Sequence, residues 1–248
     1  MNLIRQRLLS LLILATSSLS VSISAQEDPV AEIRAVIEAT QPNMLIESIR
    51  PAPFEGMYQI TLKNGQIINA TTDARYFIPG DLYEALPQGL INRSEETRNV
   101  LRAAKIAALP ESDMIIFEPE GGRKATITVF TDVDCPYCRQ LHGDMDRLND
   151  FGIAVRYLGY PRTGLDTETH RKMISAWCAE NPNAMFTSAT RGGEIPEADC
   201  ENPIAEHYQL GREVGVTGTP ALVLEDGTIL PGYIPAETLA GYLLGTGQ

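Results

Sequence analysis

The chain is short of cysteine, of aromatic residues and of positive charge. Four cysteines in 248 residues cannot staple a chain of this length, which excludes a small disulfide-framed scaffold. Twenty Lys and Arg stand against 32 Asp and Glu, a formal charge of −12. Binding to a phosphate backbone rests on clustered cations, so no nucleic-acid partner is expected. No uninterrupted apolar run reaches the 18 or so residues of a membrane span, so no stable membrane insertion is expected either. Internal repeats and low-complexity tracts are also lacking. What is present is 44% hydrophobic residues, enough for a packed core, in a length that suits one large domain or two small ones.

Residues 1–25 carry Arg5 and Arg7, then the apolar stretch Leu8–Ala15, then the small residues Ser22, Ser24 and Ala25. That order reads as a cleaved secretory signal, and the apolar stretch is too short and serine-rich for an anchor. Export changes the meaning of the cysteines, because disulfides persist outside the cytosol.

After the signal, Asp28-Pro29 offers a helix start, and Val30, Ile33, Val36 and Ile37 recur at helical spacing through Thr40. Strand texture follows. Met57–Leu62 and Gln66–Ala70 flank Asn64-Gly65, a strong hairpin signal, and Tyr76-Phe77-Ile78 is a further short strand. Residues 26–88 therefore form a helix plus an antiparallel sheet, a unit too small to bury much surface alone. Self-association would complete it, and this is the expected dimerisation domain. Residues 89–112 hold a linker helix, Thr97–Leu109, opened by Ser94-Glu95-Glu96 and stopped by Pro110. In residues 113–248 the order becomes strand, helix, strand, several helices, hairpin and helix. The active-site helix is expected to run unbroken from Cys135 to Phe151, and Thr167–Val214 to be mostly helical. The predicted class is α+β, with a C-terminal thioredoxin-like domain carrying a helical insert.

Cys135-Pro136-Tyr137-Cys138 directly follows the strand ending Val129-Phe130-Thr131. A C-x-x-C between strand and helix is the arrangement of a redox dithiol. With Cys135 at the helix cap and Pro136 at its first position, the unpaired N–H groups and the helix dipole stabilise a thiolate at Cys135. Cys138, one turn deeper, is the resolving thiol. A zinc site would need a second close cysteine pair, whereas Cys178 and Cys200 stand 22 positions apart. The three histidines add no ligand-spaced pair, and His142 reads as a surface residue of the active-site helix; no metal is expected. Cys178 and Cys200 read as a structural disulfide in the helical insert, with a second redox pair as the alternative. Pro220, before the last hairpin, starts a strand in either peptide isomer.

Several blocks together resemble the DsbC family of periplasmic disulfide isomerases. They are Phe130-Thr131-Asp132-Val133-Asp134-Cys135-Pro136-Tyr137-Cys138, Tyr160-Pro161-Arg162-Thr163-Gly164-Leu165-Asp166, Trp177-Cys178-Ala179 and Gly215-Val216-Thr217-Gly218-Thr219-Pro220-Ala221. Asp226-Gly227-Thr228 and Pro231-Gly232-Tyr233 extend the likeness to the C-terminal part. The resemblance implies a V-shaped homodimer whose two catalytic domains face an uncharged cleft for misoxidised or unfolded exported proteins. It implies that Pro220 is cis beside the dithiol, that Thr219 presents backbone to substrate, and that Pro136 and Tyr137 border the substrate too. It further implies that Cys178 and Cys200 form the family's structural disulfide. Cys135 and Cys138 would be the catalytic pair, kept reduced by a membrane reductase of the DsbD type, with no cofactor. One departure is Pro136, where the family commonly has Gly; Cys-Pro-Tyr-Cys is the motif of the related DsbG proteins. Val129 also stands six residues before Cys135, where thioredoxin buries an acid, so thioredoxin's proton relay does not transfer. The expected function is a periplasmic thiol:disulfide interchange protein that reduces and reshuffles wrong disulfides. The rivals are a DsbG-like reductase or chaperone, a net dithiol oxidase, a redox-inactive holding chaperone and a metal-binding module.

Overall fold

The computed structural model describes residues 28–245; the expected signal at residues 1–25 lies outside them. The α+β architecture is as the sequence pattern predicts. Helix α1 (Pro29–Thr40) starts at Asp28, whose side chain accepts from the Val30 N–H at 3.0 Å, with Pro29 at the first position. Its buried Ile33 and Ile37 lie against a four-stranded antiparallel meander, β1 (Ile46–Pro51), β2 (Met57–Leu62), β3 (Ile67–Thr71) and β4 (Phe77–Pro79), in that order across the sheet. The period-2 alternation of β2 and β3 splits the sheet into two unlike faces. Ile60, Leu62, Ile68 and Ala70 join the α1 core, while Gln59, Thr61 and Asn69 are buried on the other side. The strand expected at Tyr76–Ile78 begins one residue later and ends at Pro79.

A small ribbon, β5 (Tyr83–Leu86) and β6 (Gly89–Asn92), leads into α2 (Arg93–Ala107). Helix α2 begins four residues before the expected Thr97 because the Asn92 side chain, not a serine, caps it, accepting from the Glu95 N–H at 3.0 Å. The polar sheet face meets this helix through hydrogen bonds. Gln59 Nε2 donates to Ser94 Oγ at 3.1 Å, and Thr97 Oγ1 donates to Gln59 Oε1 at 2.7 Å. On its opposite side α2 is seated in the C-terminal part. Ile106 is buried with Phe130, Leu158, Val214 and Val223, and the buried Arg102 donates to the carbonyls of Val214 and Gly227. Gly227, at φ +86°, lies so close to α2 that a Cβ would collide with the Asn99 carbonyl.

The C-terminal part is a five-stranded sheet in the order β11-β10-β8-β9-β7. The strands are β7 (Ile115–Phe117), β8 (Ala125–Thr131), β9 (Ile153–Gly159), β10 (Ala221–Val223) and β11 (Ile229–Pro231). Strands β8 and β9 run parallel and are buried along almost their whole length, as a strand covered on both faces requires. The helix expected from Cys135 to Phe151 is in fact two, α3 (Pro136–Gly143) and α4 (Met145–Asp150). They break at Asp144, whose carboxylate is drawn away to accept from Tyr233 Oη at 2.7 Å and the Ala236 N–H at 3.3 Å. Helices α5 (Glu168–Trp177), α6 (Pro182–Thr190) and α7 (Ile204–Glu213) form the insert, and α8 (Ala236–Leu244) closes the domain. No helix among the described residues is long and apolar enough to cross a membrane.

Candidate active site

Strand β8 ends at Thr131, and four residues later Cys135 takes the N-cap position of α3 at φ −80°, ψ 122°, with Pro136 next. The Cys135 N–H closes a turn onto the Asp132 carbonyl at 3.0 Å, and the Cys135 carbonyl accepts from the Arg139 N–H at 3.1 Å. Strand β10 pairs antiparallel with β8, Ala221 opposite Phe130, which brings Thr219 and Pro220 alongside Cys135. The Thr219–Pro220 peptide is cis, and the Cys135 thiol donates to the Thr219 carbonyl at 3.2 Å. Both thiols are free and 1% exposed, whereas Tyr137 between them is 59% exposed.

The two sulfurs are electrostatically unlike. Burial raises the Cys135 thiol, but donors around it outweigh that cost and leave it below the ordinary thiol range. Those donors are the Thr219 hydroxyl and the N–H and S–H groups of the turn Tyr137–Cys138. Cys138 is deeper, and burial pushes it up to about 12, against smaller contributions from the Thr131 hydroxyl and the Asp132 N–H. The hydroxyls of Thr131 and Thr219 are buried near these sulfurs and have no hydrogen-bond partner of ordinary geometry among the described residues.

Charged groups frame the loop before Cys135. Asp132, 1% exposed, accepts from the Asp134 N–H at 2.8 Å and from Arg162 through both its backbone N–H (2.9 Å) and Nε (3.1 Å). Burial raises Asp134, but Lys172 at 2.8 Å and Thr169 at 2.9 Å outweigh it and hold the carboxyl below its usual range. Sequence reading missed Asp132 and Arg162 as a pair. The signal available was their place inside two of the family-like blocks, while the contact itself is 30 residues apart in the chain.

His142 is not the surface residue expected. It is buried behind Cys138's helix, with Nδ1 3.3 Å from Tyr157 Oη and Nε2 3.0 Å from Thr187 Oγ1, edge-on to Phe117 and Phe186. The helix stripe that carries Cys138 also carries residue i+4, so His142 follows Cys138 into the core. Burial pushes its imidazole down to about 4. Cys178 and Cys200 are joined in a disulfide with Cα atoms 5.7 Å apart, tying the end of α5 to the irregular segment before α7. Among the described residues no group of three or more His, Cys, Asp or Glu side chains is arranged to hold a metal.

A thioredoxin-like sheet that sets a free Cys-x-x-Cys at a helix N-terminus, with an acidic outer thiol and a weakly acidic inner one, defines a thiol–disulfide oxidoreductase. Residues 110–245 match the family model of a thioredoxin-like domain, and residues 24–90 match that of the disulfide bond isomerase protein N-terminal domain. The chain belongs to the DsbC family of thiol:disulfide interchange proteins. It is 38% identical to thiol:disulfide interchange protein DsbC of Escherichia coli K12 over 211 residues, 84% of this chain and 86% of that one. To the DsbC protein of Dickeya dadantii it is 36% identical over the same shares. To that of Pasteurella multocida it is 34% identical over 93% of this chain and 96% of that one. The crystal structure of a disulfide interchange protein from Neisseria gonorrhoeae, 30% identical, covers 54% of this chain and 98% of its own with a TM-score of 0.49.

Proposed function

We propose that the protein is a homodimeric disulfide isomerase of the periplasm, exported by a signal at residues 1–25, that reshuffles incorrect disulfides in exported proteins. The observation that carries this reading is the divided acidity of the dithiol: Cys135 held low, Cys138 held high. The thiolate is the attacking form in disulfide exchange. Cys135 Sγ attacks one sulfur of a wrong disulfide; a new S–S bond joins enzyme to substrate, and the other substrate sulfur leaves as a thiolate. When a second substrate thiolate attacks the mixed disulfide, Cys135 is released as a thiolate and the substrate is rearranged with no net transfer of electrons. When Cys138 attacks instead, it gives up its proton, the substrate leaves reduced by two electrons, and Cys135–Cys138 is left oxidised. A membrane reductase of the DsbD type then returns those two electrons. Thr219 and Pro220, with Pro136 and Tyr137, border the position a substrate strand takes beside Cys135, and Cys178–Cys200 is structural.

The dimer reading is supported by the N-terminal sheet. It ends in the free edges β1 and β4, and Tyr76, Ile78, Tyr83 and Leu90 are large apolar side chains left in solvent near the β4 edge and the β5–β6 ribbon. A second reading, a DsbG-like reductase, is favoured by Pro136. Refolding of a scrambled multi-disulfide protein tests the function. The wild-type chain is expected to restore native pairing, Cys135→Ala to abolish that activity, and Cys138→Ala to retain part of it. Wild-type rates in Cys135→Ala would overturn the mechanism.

A further inference from the structure

Parallel pairing of β8 with β9, Thr131 beside Gly159, makes the chain leaving β9 run past the loop that carries Cys135. The Tyr160 N–H donates to the Thr131 carbonyl at 2.7 Å and continues that alignment, so Arg162 arrives beside Asp132. Its backbone N–H and Nε both end on Asp132 Oδ2, and Oδ1 is taken by the Asp134 N–H. One oxygen of the buried carboxylate therefore grips the stem of the arginine, and the other holds the turn before Cys135.

The outer end of the same side chain is not used. Among the described residues neither Nη1 nor Nη2 of Arg162 has a hydrogen-bond partner, and the side chain is 42% exposed. The other cations around the loop are differently disposed. Lys172 lies 2.8 Å and Arg139 3.3 Å from Asp134, and Arg139 Nε also donates to the Val133 carbonyl. The guanidinium is within electrostatic range of both sulfurs. An arginine gripped at Nε with its two Nη groups open presents a rigid planar fork, the geometry that matches a carboxylate.

Building on the isomerase reading, we propose that Arg162 is a substrate-docking residue that receives a side-chain carboxylate flanking the cysteine under attack. The two Nη groups would hold that carboxylate while Cys135 Sγ forms the mixed disulfide. In a chain of charge −12, which repels acidic polypeptides at long range, a guanidinium anchored to the loop before the nucleophile, with open Nη groups, gives such substrates a local contact.

The test uses the reduced full-length protein and three disulfide-linked peptides that differ only in the residue next to cysteine: Glu, Gln or Lys. Second-order exchange rates are measured at low and at high salt, and the Cys135 thiolate is titrated by its absorbance near 240 nm. The wild type is expected to react fastest with the Glu peptide, by about fivefold over Gln, with the gap closing at high salt. Arg162→Met is expected to erase the Glu-over-Gln ratio, while the loss of its charge raises the Cys135 titration and slows all three peptides together, and Arg162→Lys is expected to keep part of the ratio. No preference in the wild type overturns the proposal. Slowing of all three peptides by Arg162→Met with the Glu-over-Gln ratio kept at its wild-type value also overturns it and assigns the arginine to tuning Cys135 alone. Failure of the wild type to react with any peptide removes the isomerase reading itself, and the docking role with it.

Discussion

Cys135 and Cys138 were legible because their relation is local: spacing, a preceding strand and a proline at the first helical position are all written within ten residues. Asp132, Arg162, Tyr157 and His142 were not, because each owes its surroundings to a strand or helix far away in the chain. His142 shows the cost of reading a helix without knowing which face is covered. The same burial carries a prediction. The imidazoles of His142 and His207 are both pushed down to about 4 by burial, from an ordinary value of 6.5. Between those limits the unfolded chain binds more protons than the folded one, so stability is full above pH 6.5 and declines as pH falls towards 4. Each histidine is worth about 3 kcal/mol over the whole interval. Urea unfolding from pH 7.5 to 4 is expected to show this decline, with a slope smaller by close to one proton in His142→Phe. An unchanged slope in that variant would locate the sensitivity elsewhere.

At the scale of elements, the helices and hairpins with strong local punctuation were read well. Asp28-Pro29 starts α1, Asn64-Gly65 joins β2 to β3, and Asp226-Gly227 joins β10 to β11. The β5–β6 ribbon was missed since it is four residues a side and mostly exposed, leaving little periodicity to detect. The break between α3 and α4 was missed for another reason: Asp144 serves the start of α8, 92 positions on, and no local pattern records that service. Gly227 has a double duty that its turn alone conceals. It supplies the positive φ, and it lets the turn sit directly on the backbone of α2. Gly227→Ala is therefore expected to cost about 2 kcal/mol or more, beyond an ordinary turn substitution. Hydrogen exchange should show the loss concentrated in α2 around Asn99–Ala103. Protection confined to its wild-type pattern would show that the turn tolerates a side chain.

For the whole molecule, the acidic composition, two patterned regions and an intervening helix foretold the α+β division, but not how α2 is shared between the parts. Light scattering on the chain from residue 26 onward is expected to give a dimer. A chain starting at residue 113 loses Ile106 and Arg102 as well as the sheet, so it is expected to be monomeric, less stable and poor at isomerisation. Simple dithiol reduction by the truncated chain should remain measurable, since Cys135, Cys138 and Thr219 all lie beyond residue 113. A monomeric longer chain at micromolar concentration would remove the cleft model while leaving the thiol chemistry in place.

The two sides of α2 differ in stiffness. Towards the dithiol it is keyed in by Arg102, Ile106 and the Gly227 turn. Towards the N-terminal sheet it meets two side-chain hydrogen bonds of Gln59, the Lys105–Glu47 ion pair at 3.4 Å, and a cavity of about 540 Å³ bounded by Thr61, Leu62, Ile67, Arg98 and Leu101. A cavity and a half-buried ion pair can admit water, whereas keyed apolar packing cannot. The looser packing is thus gathered at one seam, and α2, about 22 Å long, moves with the catalytic side of it. A small rocking at that joint would carry the sulfurs along a tethered, misfolded chain with the catalytic fold intact.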